Sequence, residues 1–134
     1  MLTICLIVIF HFSLPANARV HHSHRKLVVL ELSLNKGIAG QNFPKELTKK
    51  NNASAIANCA TIHYDEVVGS FKSALAELKE DPDTANYDAK VAGDGAVSCQ
   101  QALDDAHIVN PDINALNNQI SLLNHISFLA TNHL

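Results

Sequence analysis

Two side chains that could do chemistry, Cys59 and His63, stand four residues apart in the stretch A-N-C-A-T-I-H-Y-D-E-V-V-G-S-F, residues 57–71. On a helix, residues four apart share a face, so the two side chains would point the same way. The pair could be half of a metal site, a thiol with its general base, or a cysteine whose true partner lies far along the chain. The elements that position the pair must decide among these roles.

The first 18 residues have the pattern of a secretory signal peptide. An apolar run over residues 2–14 is followed by Ala16 and Ala18 in the A-x-A arrangement that precedes cleavage. The run falls short of the roughly 20 residues that a helix needs to span a bilayer. We therefore expect residues 1–18 to be removed and residues 19–134 to form one domain that is not bound to a membrane.

Cleavage changes the cysteine count, because Cys5 leaves and only Cys59 and Cys99 stay in the mature chain. Two cysteines in an oxidising compartment favour one disulfide. In the same compartment the sequon Asn52-Ala53-Ser54 makes Asn52 a candidate for N-glycosylation.

Charge is distributed unevenly along the chain. Residues 19–58 contain seven Lys or Arg against two acids, whereas residues 59–134 contain three lysines against eleven acids, a net charge of −8. The strong negative charge of residues 59–134 argues against a nucleic-acid partner and would steer a basic protein surface toward the chain. The alternative interpretation is that these acids belong to an ordinary solvated surface.

Helical periodicity predicts the fold, since strand signals are nearly absent and no apolar alternation with hairpin turns appears. Residues 53–79 predict a long amphipathic helix capped by Asn51 or Asn52. A small-residue helix is expected over about residues 84–106, with Asp81 or Asp83 as its cap, and another follows the turn at residues 109–112. Two apolar stripes carry these predictions: Ile56, Ala60, His63, Val67, Phe71, Ala74 and Leu78, then Ile113, Leu116, Ile120, Leu123, Ser127, Ala130 and Leu134.

The beginning of the domain is more ambiguous. Residues 25–36 predict a short helix that ends at Gly37, although their L-x-L-x-L alternation also fits a strand. Residues 40–50, with Pro44, indicate a loop with at most one helical turn. Four helices joined by short turns predict an all-α, antiparallel up-and-down four-helix bundle with one inter-helix disulfide.

This layout places Cys59 about twenty residues before the hairpin turn and Cys99 a similar distance after it, so the two cysteines would lie side by side. A disulfide that closes this loop would stabilise the fold by about 4 kcal/mol. A thiol opposite such a partner should not stay free for catalysis, and a zinc site would lack two further ligands. His63 is then expected to be a half-buried packing residue.

Other motifs offer little chemistry. The tract Val20-His21-His22-Ser23-His24 is of a kind that can capture transition metals, but beside a cleavage site we expect a frayed terminus. Adjacent acids such as Asp65 and Glu66 would be splayed apart on a helix. We therefore predict no catalytic residue, no cofactor and no metal site, and conclude that the chain is not an enzyme.

Four features together resemble a known family. They are the cysteine that opens a helix in residues 57–67, the turn at Asp81-Pro82, the small-residue helix over residues 85–99 with its own cysteine, and the closing helix over residues 110–134. This order is similar to that of the plant invertase and pectin methylesterase inhibitors, and the match covers residue 27 to the end. The family's N-terminal helical hairpin, with its own disulfide, is expected to have no counterpart here.

The resemblance implies a secreted inhibitor of a cell-wall carbohydrate enzyme, found in the apoplast or, alternatively, the vacuole. Its partner would be pectin methylesterase, whose cleft the family covers with bundle helices, or acid invertase, which the family meets with a P-K-F motif in the turn between the middle helices. Here Pro82, Asp83 and Thr84 occupy that position, and Asp83 replaces the lysine, which argues against invertase. A secreted helical binding protein, or a degenerate copy without a target, is the remaining alternative.

Overall fold

The computed structural model describes residues 2–51 and 53–132, with residues 2–20 described by their backbone alone. All regular elements in these residues are helical. They are α1 (Leu2–Thr48), α2 (Ser54–Asn58), a π-helical segment (Cys59–His63), α3 (Tyr64–Glu77), α4 (Pro82–Asp105) and α5 (Pro111–Thr131). Because α2, the π-helical segment and α3 follow one another without a break, we call them together the composite helix.

In the part of the chain that the structure describes, four rods form the bundle: α1, the composite helix, α4 and α5. α1 packs against α3 and α5, and α4 packs against the same two neighbours. Short turns reverse the chain between successive rods, so neighbouring rods are antiparallel. The predicted all-α up-and-down four-helix bundle is confirmed.

The first helix is longer than the sequence predicted. We expected it to end at Gly37 and residues 40–50 to form a loop, but α1 continues to Thr48, and the strand alternative is wrong. Phe43 and Leu47 lie in this last part of α1 and pack partly buried against the core. Their burial outweighs the local tendency of glycine and proline to end a helix.

Two glycines let α1 approach the composite helix closely. A Cβ atom on Gly37 would lie 3.2 Å from Cγ1 of Val67, and one on Gly40 would collide with the ring of Tyr64. At both positions glycine therefore lets the two helices pack closely. From the sequence we expected the helix to end at Gly37 and a loop to begin at Gly40.

The composite helix confirms the amphipathic helix predicted over residues 53–79 and adds a feature that the prediction lacked. The N–H of Tyr64 donates to the carbonyl oxygen of Cys59, five residues earlier, which is the spacing of a π-helix. Both Cys59 and Tyr64 are completely buried, while His63 is half-buried, as expected.

The predicted cap of this helix is wrong. Ala53 occupies the N-cap position and its side chain makes no capping hydrogen bond. Asn51 lies before that position, and Asn52 lies outside the described residues. The burial of Ala55 and Ile56, directly after the start of α2, holds this end of the helix against the core.

The later helix starts follow the sequence signals. The carboxylate of Asp81 accepts a hydrogen bond from the backbone N–H of Thr84 at 3.1 Å, with Pro82 in the first helical position of α4. The side chain of Asn110 accepts from the N–H of Ile113 at 3.0 Å at the start of α5. His107 has a positive φ of 55°, the left-handed conformation that closes α4.

Small residues of α4 form one wall of the core, as predicted: Ala85, Ala89, Ala92 and Ala96 are completely buried. The predicted stripe of α5 is only partly correct. Ile113, Ile120 and Ser127 are buried, but Leu116, Leu123 and Ala130 are half-buried, and Leu134 lies outside the described residues. The core positions between them are filled by polar residues instead, namely Asn117, Asn124 and Thr131.

Among the described residues, no helix is both long and apolar enough to cross a membrane. The apolar run of residues 2–14 lies within α1. Removal of residues 1–18 stays a prediction.

Candidate functional site

Of the two side chains that could do chemistry, Cys59 belongs to a disulfide and His63 does not. Cys59, in the π-helical segment, is bonded to Cys99 of α4, with their Cα atoms 4.8 Å apart and both residues completely buried. The predicted pairing is confirmed, and a bonded sulfur is neither a nucleophile nor a metal ligand. The described residues contain no group of three or more His, Cys, Asp or Glu that could hold a metal ion.

A buried polar chain lies beside the disulfide. The hydroxyl of Tyr64 donates to Oδ1 of Asn117 at 2.9 Å, and Nδ2 of Asn117 donates to Oε1 of Gln100 at 3.2 Å. Burial raises the pKa of Tyr64 well above its ordinary value, so its phenol stays neutral. The sequence pointed to His63 on this helix, whereas the structure puts the neighbouring Tyr64 into the core.

The residues predicted to contact a target lie at one tip of the bundle. Pro82, Asp83 and Thr84 form the first turn of α4, and Asp83 and Thr84 are exposed. The backbone N–H of Thr84, followed by its hydroxyl, holds the pKa of Asp81 below its ordinary value. Asp81 and Asp83 are both exposed, so this tip presents acidic side chains to solvent. Contact with a target stays a prediction.

A groove that the sequence analysis missed follows the seam between α4 and α5. Three hollows of about 340–390 Å³ lie along it, and neighbouring hollows share lining residues, so we call them together the α4–α5 groove. Its lining includes Val97, Gln100, Asp104, Asn117, Ser121 and Phe128. The signal for it was the run of amide side chains in α5, which are poor choices for a plain apolar seam.

Electrostatically, the α4–α5 groove is acidic and rich in hydrogen-bonding groups. The carboxylates of Asp94, Asp104 and Asp105 lie along it and are exposed. One cation, Lys90, also lines the groove, and its ammonium lies 5.9 Å from the centre of the Phe128 ring. Such a lining can bind a complementary polar or basic surface.

Apolar side chains also stand at this face. Val97, in the lining of the groove, is 60% exposed, and the half-buried Val91 and Phe128 line the same groove. Large exposed apolar residues next to a polar rim are typical of protein-binding surfaces. The predicted glycosylation site, Asn52, lies outside the described residues and stays a prediction.

The sequence matches no protein-family model, and no curated protein matches it. The structure is similar to the crystal structure of a pectin methylesterase inhibitor from Arabidopsis thaliana, with a TM-score of 0.76. The match covers 84% of this chain and 78% of that chain, at 17% sequence identity. At this identity the similarity concerns the fold: this chain has the helical bundle of a known enzyme inhibitor, as the resemblance in sequence implied.

Proposed function

We propose that this chain is a secreted, non-catalytic inhibitor of a plant cell-wall carbohydrate enzyme, and that the enzyme is pectin methylesterase. The observation that carries the proposal is the shared bundle: 84% of the chain superimposes on a pectin methylesterase inhibitor with a TM-score of 0.76. The disulfide between Cys59 and Cys99 supports it, because the resemblance in sequence implied a bridge between the two middle helices. Inhibition then consists of covering the substrate cleft of the enzyme.

The α4–α5 groove is the face that we assign to the enzyme. It combines the exposed apolar side chain of Val97 with a polar rim that contains Asp94 and Asp104. An apolar centre within a polar rim is the usual anatomy of an interface. The carboxylates would speed association with a basic surface and make the association rate depend on salt.

Acid invertase is the second candidate, and the tip of the bundle argues against it. Asp83 stands where an invertase inhibitor of the resembling family has a lysine, and Asp81 adds a second carboxylate two residues earlier. An anionic tip is repelled by the catalytic carboxylates of a glycosidase. A secreted helical binding protein without an inhibitory target is the third candidate, and it predicts that both enzymes keep their full activity.

The test is an inhibition assay with the secreted chain. Pectin methylesterase and acid invertase are each mixed with micromolar chain at mildly acidic pH, and residual activity is measured. We expect loss of pectin methylesterase activity and full invertase activity. Full activity of both enzymes would reject the inhibitor assignment, and inhibition of invertase alone would reject the choice of target.

Charge reversal tests the assigned face. The variant Asp104→Lys with Asp105→Lys places two cations on the α4–α5 groove, whereas Glu31→Lys reverses an exposed charge on α1. We expect the groove variant to associate with pectin methylesterase more slowly and with a weaker dependence on ionic strength. Glu31→Lys should behave as the unchanged chain does, and equal effects of the two variants would contradict the assigned face.

We place the protein in the apoplast because its beginning has the pattern of a signal peptide. Expression of the full chain in plant cells should release it into the medium. If the sequon is used, Asn52→Gln should remove a glycan and lower the apparent mass. Retention of the whole chain inside the cells would contradict the localisation without touching the inhibition assay.

A further inference from the structure

We propose that the secreted chain carries a copper site at its new N-terminus, built from the α-amino group of Arg19, the backbone nitrogens of Val20 and His21, and the imidazole of His21. The inference rests on the secretion part of the proposed function, because cleavage after Ala18 makes His21 the third residue of the mature chain. A free amine followed by two amide nitrogens and a histidine in third place supplies four nitrogens in one plane. Cu²⁺ favours such square-planar nitrogen coordination.

The helix explains why cleavage creates this site. In the uncleaved chain, residues 19–21 lie within α1, and the N–H groups of Val20 and His21 are held by carbonyl groups four residues earlier. Those carbonyl groups belong to the segment that cleavage removes. The first four N–H groups of a helix have no partner within it, so in the mature chain both amides are released for binding.

The side chains around His21 leave it free to turn toward the metal. Residues 21–25 are all exposed, and His21 makes no hydrogen bond or ion pair among the described side chains. The chelate needs the first three residues to leave helical geometry. Ser23 is a residue type preferred at a helix N-cap, so a shortened α1 can begin there with its end capped.

Charge does not oppose the complex. Arg25 and Lys26 lie nearby, and they would repel an added divalent cation. Copper binding here releases two amide protons, in addition to any carried by the amine and the imidazole. The two negative amide nitrogens balance the 2+ charge of copper, so the finished complex adds no net charge beside these basic residues.

The arrangement differs from capture of copper by a histidine tract. A tract would use the side chains of His21, His22 and His24 and would not need a free amine or an amide proton. Val20→Pro separates the two, because proline has no amide proton, while all three histidines remain. Proline is tolerated in the first turn of a helix, so the variant should fold as the unchanged chain does.

The experiment begins with chain secreted from plant cells. Its mass identifies the N-terminal residue, and Cu²⁺ is then added while visible absorption and circular dichroism are recorded. We expect Arg19 at the N-terminus and one tightly bound Cu²⁺ with the spectrum of a square-planar four-nitrogen complex. Val20→Pro and His21→Ala should both abolish that spectrum, whereas His24→Ala should keep it.

Three results would overturn the site: an N-terminus other than Arg19, no stoichiometric Cu²⁺ complex, or a complex that survives in Val20→Pro. Inhibition of pectin methylesterase is measured on the same samples. Loss of the copper spectrum with inhibition retained in Val20→Pro shows that the two properties are separate. A chain that binds copper without inhibiting the enzyme rejects the proposed function and leaves the metal site standing.

Discussion

The disulfide between Cys59 and Cys99 should supply a large part of the stability of this fold. The cysteines are 40 residues apart in sequence, and for a closed loop of that size the loss of chain entropy in the unfolded state corresponds to about 4 kcal/mol. Domains of this size are stable by only about 5–15 kcal/mol in total. The double variant Cys59→Ala with Cys99→Ala should therefore unfold at a temperature lower by roughly 12–20 °C.

Urea unfolding followed by circular dichroism measures the effect on three samples: the oxidised chain, the reduced chain and the double variant. The reduced chain keeps both sulfur atoms, so it separates the loss of the bond from the loss of buried volume. Because the bridge acts mainly on the unfolded state, breaking it should also raise the dependence of the free energy of unfolding on urea. A double variant or a reduced chain as stable as the oxidised chain would refute the reasoning.

Three further predictions concern the bundle. Gly40→Ala should destabilise the bundle by about 1–3 kcal/mol, because the added Cβ collides with Tyr64. Gly69→Ala should stabilise the bundle by about 1 kcal/mol, because its added Cβ meets nothing within 4 Å and alanine favours a helix. Urea unfolding measures the free energy of unfolding of both variants. Burial raises the pKa of Tyr64 well above its ordinary value, so its phenol stays neutral in the folded protein. Because the pKa of Tyr64 is raised on folding, stability should fall as pH rises above about 10, and phenolate absorption during alkaline unfolding checks this. Asn110→Ala should cost about 1 kcal/mol and speed hydrogen exchange at the start of α5.

Local signals predicted much of this structure. Asp81 before Pro82, and Asn110 before Pro111, each combine a capping side chain with a proline suited to the first helical position, so the starts of α4 and α5 could be read directly. The disulfide was predictable as well, because its cysteines lie at similar distances from a recognisable turn. The capping residues lie next to the helix starts that they determine. The two cysteines lie at similar distances from one hairpin turn, so their pairing could be predicted from the positions in the sequence.

Features that depend on a distant partner could not be predicted. Gly40 reads as a helix breaker until the ring of Tyr64 is placed against it, and the π-helical segment serves to bring Tyr64 and Cys59 into the core together. The α4–α5 groove was missed for the same reason. Asn117 is one of several amide residues in this part of the sequence, and nothing local indicates that a tyrosine hydroxyl 53 residues away will bind this one.

These buried polar groups explain which face of α5 turns inward. Apolar periodicity alone would also bury Leu116 and Leu123, yet the structure buries Asn124, whose Nδ2 donates to the carbonyl oxygens of Ala89 and Lys90 at 2.6 Å each. A Cβ on Gly93 would lie 2.7 Å from Cγ of Asn124, so the amide fits a notch that only glycine leaves open. Turning α5 to bury its leucines would remove this amide from its notch and its acceptors. Apolar residues thus provide the force that closes the bundle, while hydrogen bonds from α5 select the one rotation that leaves the acidic groove on its surface.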